Sequence, residues 1–258
     1  MNYTLITGAS GGIGKELAII AIRENRNVLL VARDQKKLDV LKGQLLQQAQ
    51  NDKLQVEVLA LDLSKTTSAK KLYEFCEKKK IFIDELINNA GFGDYGNFSD
   101  SDMRRQLQMI DLNIRALTEL THLFLPHMLK KKTGKIMNLG SVASFLPGPL
   151  MSVYFASKSY VLRFSEALAE ELNGSGITVT CLCPGSTKTE FGKSAQVSKT
   201  HSTANPRTTA CEVAEFGWYH MQAGSRVAIY GRGNRIMLQL AKFIPRTLLA
   251  KLVKRIQR

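Results

Sequence analysis

The chain has 258 residues, of which 44% are hydrophobic and 22% charged, and its net charge is +14. These values describe an ordinary folded chain with a sizeable core and exclude a disordered or low-complexity protein. Apolar runs such as ELAIIAI and NVLLVA are far too short to span a bilayer, and four cysteines are too few for a disulfide scaffold.

In chain order, NYTLITG predicts a strand and GIGKELAIIAIREN a helix. RNVLLVAR is a second strand, followed by the helical stretch DQKKLDVLKGQLLQQAQ. LQVEVLALDLS and AKKLYEFCEKK form the third strand and helix; DELINNAG and GKIMNLGS are strands flanking a long helix from about Met103 to Lys131. A helix over YFASKSYVLRF, a strand in GITVTCLCPG, a helix in ACEVAEFGWYHMQ and a strand in RVAIYG complete the series. This βα alternation argues an α/β fold with a doubly wound, mainly parallel sheet covered by helices on both faces. Residues 186–209, rich in Ser and Thr with little periodicity, predict a mobile loop on the ligand-binding edge of that sheet.

Local chemistry begins at TGASGGIG, which runs from the first strand into the first helix. Gly8, Gly12 and Gly14 allow a tight turn and close approach of backbone to a pyrophosphate resting on the helix N-terminus. Gly-rich turns also arise for structural reasons, so the strand–turn–helix context carries the argument. Farther along, Tyr154 and Lys158 stand four residues apart, on one helical face. A cation beside a phenol favours the phenolate and brings a pKa near 10 within reach of acid/base work.

TGxxxGxG, NNAG at Asn88–Gly91, Ser141, YxxxK at Tyr154–Lys158 and PG at Pro184–Gly185 occur in the order and spacing of the short-chain dehydrogenase/reductase family, which the chain resembles over nearly its whole length. The resemblance implies one Rossmann-type domain, here residues 1–231, followed by a basic helical extension over 232–258. It also implies roles. Gly8, Ser10, Gly12, Ile13 and Gly14 would surround the pyrophosphate, and Asp62, with Leu63 beside it, would accept from the adenine amino group. Asn89, Ala90 and Gly91 would line the adenosine ribose, although Asn88 and Asn89 also suit the bridging of strands. Pro184, Gly185 and Thr189 would flank the nicotinamide. Tyr154 would exchange a proton with the substrate oxygen, Ser141 would orient that oxygen, and Lys158 would bind the ribose and lower the phenol's pKa. Asn113 would hold a water in the relay to the lysine.

Cofactor choice rests on the second strand. Ala32 fills the place where an NAD-preferring site offers an acid, and Arg33 follows, with Lys37 as a second cation, so NADP(H) is the expected cofactor and reduction the expected direction. Asp34 tempers that preference. Phe145, Leu146, Pro147, Leu150 and Met151 suggest an apolar wall near the reacting carbon, hence an apolar or acyl-like carbonyl substrate. A nucleotide-binding scaffold without turnover is the alternative, and the complete set of four catalytic residues argues against it.

No metal site is expected, because His122, His127, His201 and His220 lack cluster spacing, and neither Ser10 nor Ser141 sits in GxSxG. The thiols Cys76, Cys181, Cys183 and Cys211 read as reduced, in a cytoplasmic protein without a signal-peptide pattern. More than half of the excess charge lies in residues 232–258, which hold eight Arg or Lys and no acid. No aromatic-studded groove accompanies it, so nucleic acid is not an expected partner. Ile236, Leu240, Ile244, Leu248, Leu252 and Ile256 recur every four residues with a break at Pro245. Packing is expected before the proline, and contact with an anionic membrane over 246–258. A homodimer or homotetramer is the expected assembly.

Overall fold

A computed structural model describes residues 2–49, 51–191 and 208–257. The first half of the chain alternates as expected: β1 (Asn2–Thr7), α1 (Gly12–Arg23), β2 (Asn27–Ala32), α2 (Gln35–Gln48), β3 (Val56–Ala60), α3 (Ser68–Lys79) and β4 (Phe82–Asn88). The second half continues with α4 (Met103–Ile110), α5 (Leu117–Lys131), β5 (Gly134–Leu139), α6 (Ser152–Glu171) and β6 (Ile177–Cys183). Two-residue strands β7 (Thr187–Lys188) and β8 (Thr208–Thr209) pair with each other. Then come α7 (Ala210–Gln222), β9 (Val227–Ile229), α8 (Arg232–Ala241) and α9 (Arg246–Gln257).

Seven strands form one sheet in the order β3-β2-β1-β4-β5-β6-β9, every pairing parallel. Such a sheet is buried on both faces, so its strands are apolar at consecutive positions rather than alternate ones. Leu5 and Ile6, Leu29 and Leu30, Leu86 and Ile87, and Ile136 and Met137 each divide between the two cores. One core receives Leu17 and Ala21 of α1, Leu38 and Leu45 of α2 and Trp218 of α7. The opposite core receives Leu72 of α3, Leu120 and Phe124 of α5 and Leu168 of α6. Leaving β1, the chain winds one way through β2 and β3 and the other way through β4, β5 and β6. The order therefore reverses between β1 and β4, where doubly wound sheets open a crevice.

The long helix expected from Met103 to Lys131 is interrupted by a π-helical segment at Asp111–Ala116. Such segments displace one residue from the ordinary ladder and often mark functional sites. Asn113 lies within it.

Residues beyond β9 pack unevenly on the fold. In α8 only Leu238 is buried, whereas α9 turns Leu249 and Val253 onto Ala143, Leu146, Met151, Tyr154 and Phe155. A four-residue spacing marks an apolar stripe but not the surface it meets, and α9 carries two adjacent stripes. Among the described residues no helix is long and apolar enough to cross a membrane. Most of the expected loop at 186–209, and His201 with it, lies outside the described residues.

Candidate active site

Thr7 organises the crevice. Its hydroxyl accepts the backbone N–H groups of Asn89 and Ala90 at 3.0 and 2.9 Å, tying the end of β1 to the loop after β4. Asn89 returns the tie, its Nδ2 donating to the carbonyls of Thr7 at 2.8 Å and Gly8 at 3.2 Å. Asn88 instead points into the core and bridges to Thr121 and Asn138, with Asn138 continuing to Ser165. Both asparagines do bridge, and Asn89 does so within the mouth of the crevice.

The glycine turn fits a dinucleotide. Gly8 and Gly12 have φ of +67° and +53°, a region that favours glycine. A Cβ on Gly14 would stand 2.5 Å from both Asn89 Nδ2 and the Gly8 carbonyl oxygen. Helix α1 follows Gly11, which supplies no side-chain cap, and has no acid in its first turn, so its leading N–H groups are open to an anion. Ile13 packs its side chain at the core edge, leaving its backbone in that first turn, and Ser10 lies in the turn itself, partly buried. Thr189 closes the cradle from the far side, as a Cβ on Gly12 would come within 3.1 Å of its methyl.

At the end expected to hold adenine, Leu63 is buried and Asp62 accepts from the Ser64 backbone N–H at 3.0 Å and the Ser64 hydroxyl at 2.7 Å. Arg33 is exposed at the end of β2, and none of the ion pairs among the described residues involves it. Asp34, the residue that clouded cofactor choice, caps α2 by accepting the Lys37 backbone N–H at 3.1 Å. The Lys37 ammonium reaches Glu190 at 3.4 Å across the cleft. Of the two expected cations, Arg33 is therefore the one without an acidic partner.

The catalytic candidates converge beyond the glycines. Lys158 is buried and donates to the Leu139 carbonyl at 2.7 Å, with its ammonium 5.9 Å from the centre of the Tyr154 ring. Gly91 admits it, since a Cβ there would sit 3.4 Å from the ammonium and 3.0 Å from Asn113 Oδ1. Ser141 caps the single-turn helix Val142–Phe145, accepting from Ala143 at 3.1 Å and donating to the Pro184 carbonyl at 3.4 Å. The Ser141 hydroxyl faces the Tyr154 phenol. Gly185 lies under Asn234, which a Cβ would meet at 2.6 Å. The Asn113 side chain is committed: Oδ1 accepts from the Phe92 N–H at 3.2 Å, and Nδ2 donates to the Phe92 carbonyl and Ser157 hydroxyl at 3.0 Å each. That side chain fixes the post-β4 loop to α6.

Protein groups alone do not lower the phenol's pKa. Burial pushes Tyr154 up to about 12, a rise opposed by the neighbouring Ser141 hydroxyl and assisted by Cys183. Burial likewise pushes Lys158 down to about 8, opposed by Cys181 and Cys183. Four-residue spacing shows that cation and phenol are neighbours, but the protein packed around both decides the direction. At neutral pH Tyr154 therefore holds its proton and Lys158 its charge.

Several lining residues carry no signal in the sequence pattern. Phe191 packs against Tyr154 with ring centres 5.3 Å apart and planes tilted by 50°, and it meets Met151 and Tyr154 over Gly93. Cys181 and Cys183 stand behind Lys158, their sulfurs 3.7 Å apart. Of the expected apolar wall, Leu146 and Met151 adjoin Tyr154, whereas Phe145 packs inward against the cluster of Leu117, Val161 and Leu162. Among the described residues no group of His, Cys, Asp and Glu could hold a metal ion.

Comparisons with known proteins agree with this geometry. A family model described as short chain dehydrogenase matches residues 2–199. The chain is 34% identical over 185 residues to a very-long-chain 3-oxoacyl-CoA reductase of Pyrenophora tritici-repentis, covering 70% of this chain and 53% of that protein. It is 30% identical over 210 residues to a ketoacyl reductase of a Nostoc species, covering 81% and 68%. The chain thus spans about half the length of the fungal relatives it matches. A short-chain dehydrogenase from Sphingobium yanoikuyae, solved in complex with NADPH, superposes with a TM-score of 0.83 at 31% identity, covering 94% of each chain.

Proposed function

Since the chain belongs to the short-chain dehydrogenase family, we propose that it is an NADP(H)-dependent oxidoreductase interconverting a carbonyl and a secondary alcohol on an apolar or acyl-like substrate. The observation that carries this reading is the convergence of Tyr154, Ser141 and Lys158 beside an uncapped glycine cradle.

A bound nicotinamide supplies the hydride or accepts it. The remaining work falls to this chain. Gly8, Ser10, Gly12, Ile13, Gly14 and the first turn of α1 hold the diphosphate, and Asn89, Ala90 and Gly91 line the ribose. Asp62 and Leu63 flank the adenine, while Pro184, Gly185 and Thr189 flank the nicotinamide. Arg33 takes the 2′-phosphate, helped by Lys37 when that lysine leaves Glu190. Tyr154 donates its phenolic proton to the carbonyl oxygen as negative charge develops there, and Ser141 holds the same oxygen in line. The Lys158 ammonium favours the tyrosinate left behind. A phenol pushed up to about 12 holds its proton at pH 7, the form that the reductive step consumes.

Leu146, Met151 and Phe191 around Tyr154 support an apolar substrate, and the 3-oxoacyl and ketoacyl chemistry of the named relatives supports an acyl thioester. Met103, Leu107 and Ile110 are exposed along one face of α4, which supports a homodimer or homotetramer. A substrate panel tests the function: long 3-oxoacyl thioesters, aromatic ketones and sugar aldehydes, with NADPH or NADH consumption followed. Preferential oxidation of NADPH with acyl or aromatic ketones is expected. Tight NADPH binding without turnover on any of them would instead support a nucleotide-binding scaffold.

A further inference from the structure

We infer that α8 and α9 dock this protein onto an anionic lipid surface. On α8 and the turn that follows it, Ile236, Leu240 and Phe243 are 61%, 61% and 86% exposed. On α9, Leu248, Leu252 and Ile256 form an exposed stripe, directly beside the stripe of Leu249 and Val253 that packs against the catalytic cluster. Six large apolar side chains facing water over two short helices call for a partner. Arg232, Lys242, Arg246, Lys251, Lys254 and Arg255 are exposed among them, and residues 232–258 contain no acid.

The charge pattern selects the occupant. A second copy seated here would bring two uniformly basic faces together, a repulsion that an interface avoids. A nucleic acid would take the cations but leave the aliphatic side chains and Phe243 in water. An anionic bilayer satisfies both groups: headgroups pair with the lysines and arginines, and the apolar side chains enter the acyl boundary. Helices of 10 and 12 residues are too short to cross a membrane but suit its interface.

Both helices are fastened to the fold. Leu238 is buried, Asn234 donates to the Tyr230 carbonyl at 2.8 Å, and Tyr95 donates to the Gln257 carbonyl at 2.7 Å. Because α9 touches lipid with one stripe and the Leu146–Met151–Tyr154 cluster with the next, docking places the bilayer about one helix diameter, ~10 Å, from the catalytic cluster. The inference does not depend on which reaction is catalysed, since docking needs neither cofactor nor substrate.

Co-sedimentation of the full chain with phosphatidylglycerol-containing and pure phosphatidylcholine vesicles, at low and high salt, tests it. Capture by the anionic vesicles alone, weakened by salt, is the expected result. Leu240→Glu with Phe243→Glu should reduce capture about tenfold or more, as should Lys251→Glu with Lys254→Glu. Both double variants should keep the wild-type melting temperature and size-exclusion profile. Failure of the full chain to sediment at low salt, or equal capture by neutral vesicles, would overturn the inference. So would a fall in oligomer mass in the Leu240/Phe243 variant, which would make this face an interface between copies.

Discussion

Lys158 shows how one residue's burial sets both chemistry and stability. Its ammonium is enclosed, hydrogen-bonded to the Leu139 carbonyl, and in no ion pair among the described residues. Burial holds its pKa near 8, below the usual lysine value of 10.5. Below pH 8 the native state therefore carries a buried charge that the unfolded chain would hold in water. Between about 8 and 10.5 the native lysine is neutral while the unfolded one still binds its proton, so wild-type stability rises through that window. Lys158→Met should abolish turnover yet stabilise the fold at pH 7 by on the order of 1–3 kcal/mol. Urea unfolding at pH 7 and pH 10 checks this, with the gap between the two proteins closing at the higher pH. Arg33 offers a second test at this scale. Arg33→Ala removes a charge-assisted contact of roughly 1.5–3 kcal/mol, so NADPH affinity should fall about ten- to over a hundredfold. NADH affinity should hardly change, and equal losses in calorimetric titrations of both cofactors would assign Arg33 a purely structural role.

Where elements meet, the glycine motif is packing as much as ligand binding. Gly14 lets α1 lie against the turn that leaves β1, with Asn89 and the Gly8 carbonyl occupying the space a side chain would need. Gly14→Ala should destabilise the protein by about 1–3 kcal/mol through overpacking. It should also weaken binding of both NADPH and NADH, a pattern distinct from Arg33→Ala, and thermal melts with and without each cofactor separate the two effects. This motif, the Tyr154–Lys158 pair and the βα alternation were legible in the sequence because each is written in local spacing. Other features depend on partners distant in the chain. The π-helical segment around Asn113, the contact of Phe191 with Tyr154, the Lys37–Glu190 pair and the packing of α9 on the Tyr154 cluster have no local signature. The direction of the Tyr154 and Lys158 pKa shifts was also hidden, since spacing gives adjacency but not burial.

At the scale of the whole molecule, chemistry and charge are separated along the chain. The sheet and its glycine turn assemble the proposed reaction site at the reversal between β1 and β4, while residues 232–258 concentrate eight cations without an acid. Contact between these regions runs through Asn234 of α8, which lies over Gly185, and through α9, whose Leu249 and Val253 adjoin Tyr154, Met151 and Leu146. The central claim is that this assembly delivers a proton from Tyr154 to a substrate carbonyl. The direct test compares wild type with Tyr154→Phe, measuring NADPH oxidation on a long 3-oxoacyl thioester and NADPH affinity by fluorescence titration. Loss of the phenolic proton with the ring retained should slow reduction by about a hundred- to ten-thousand-fold while leaving NADPH affinity nearly unchanged. Near-normal turnover by a folded Tyr154→Phe protein would contradict the assignment.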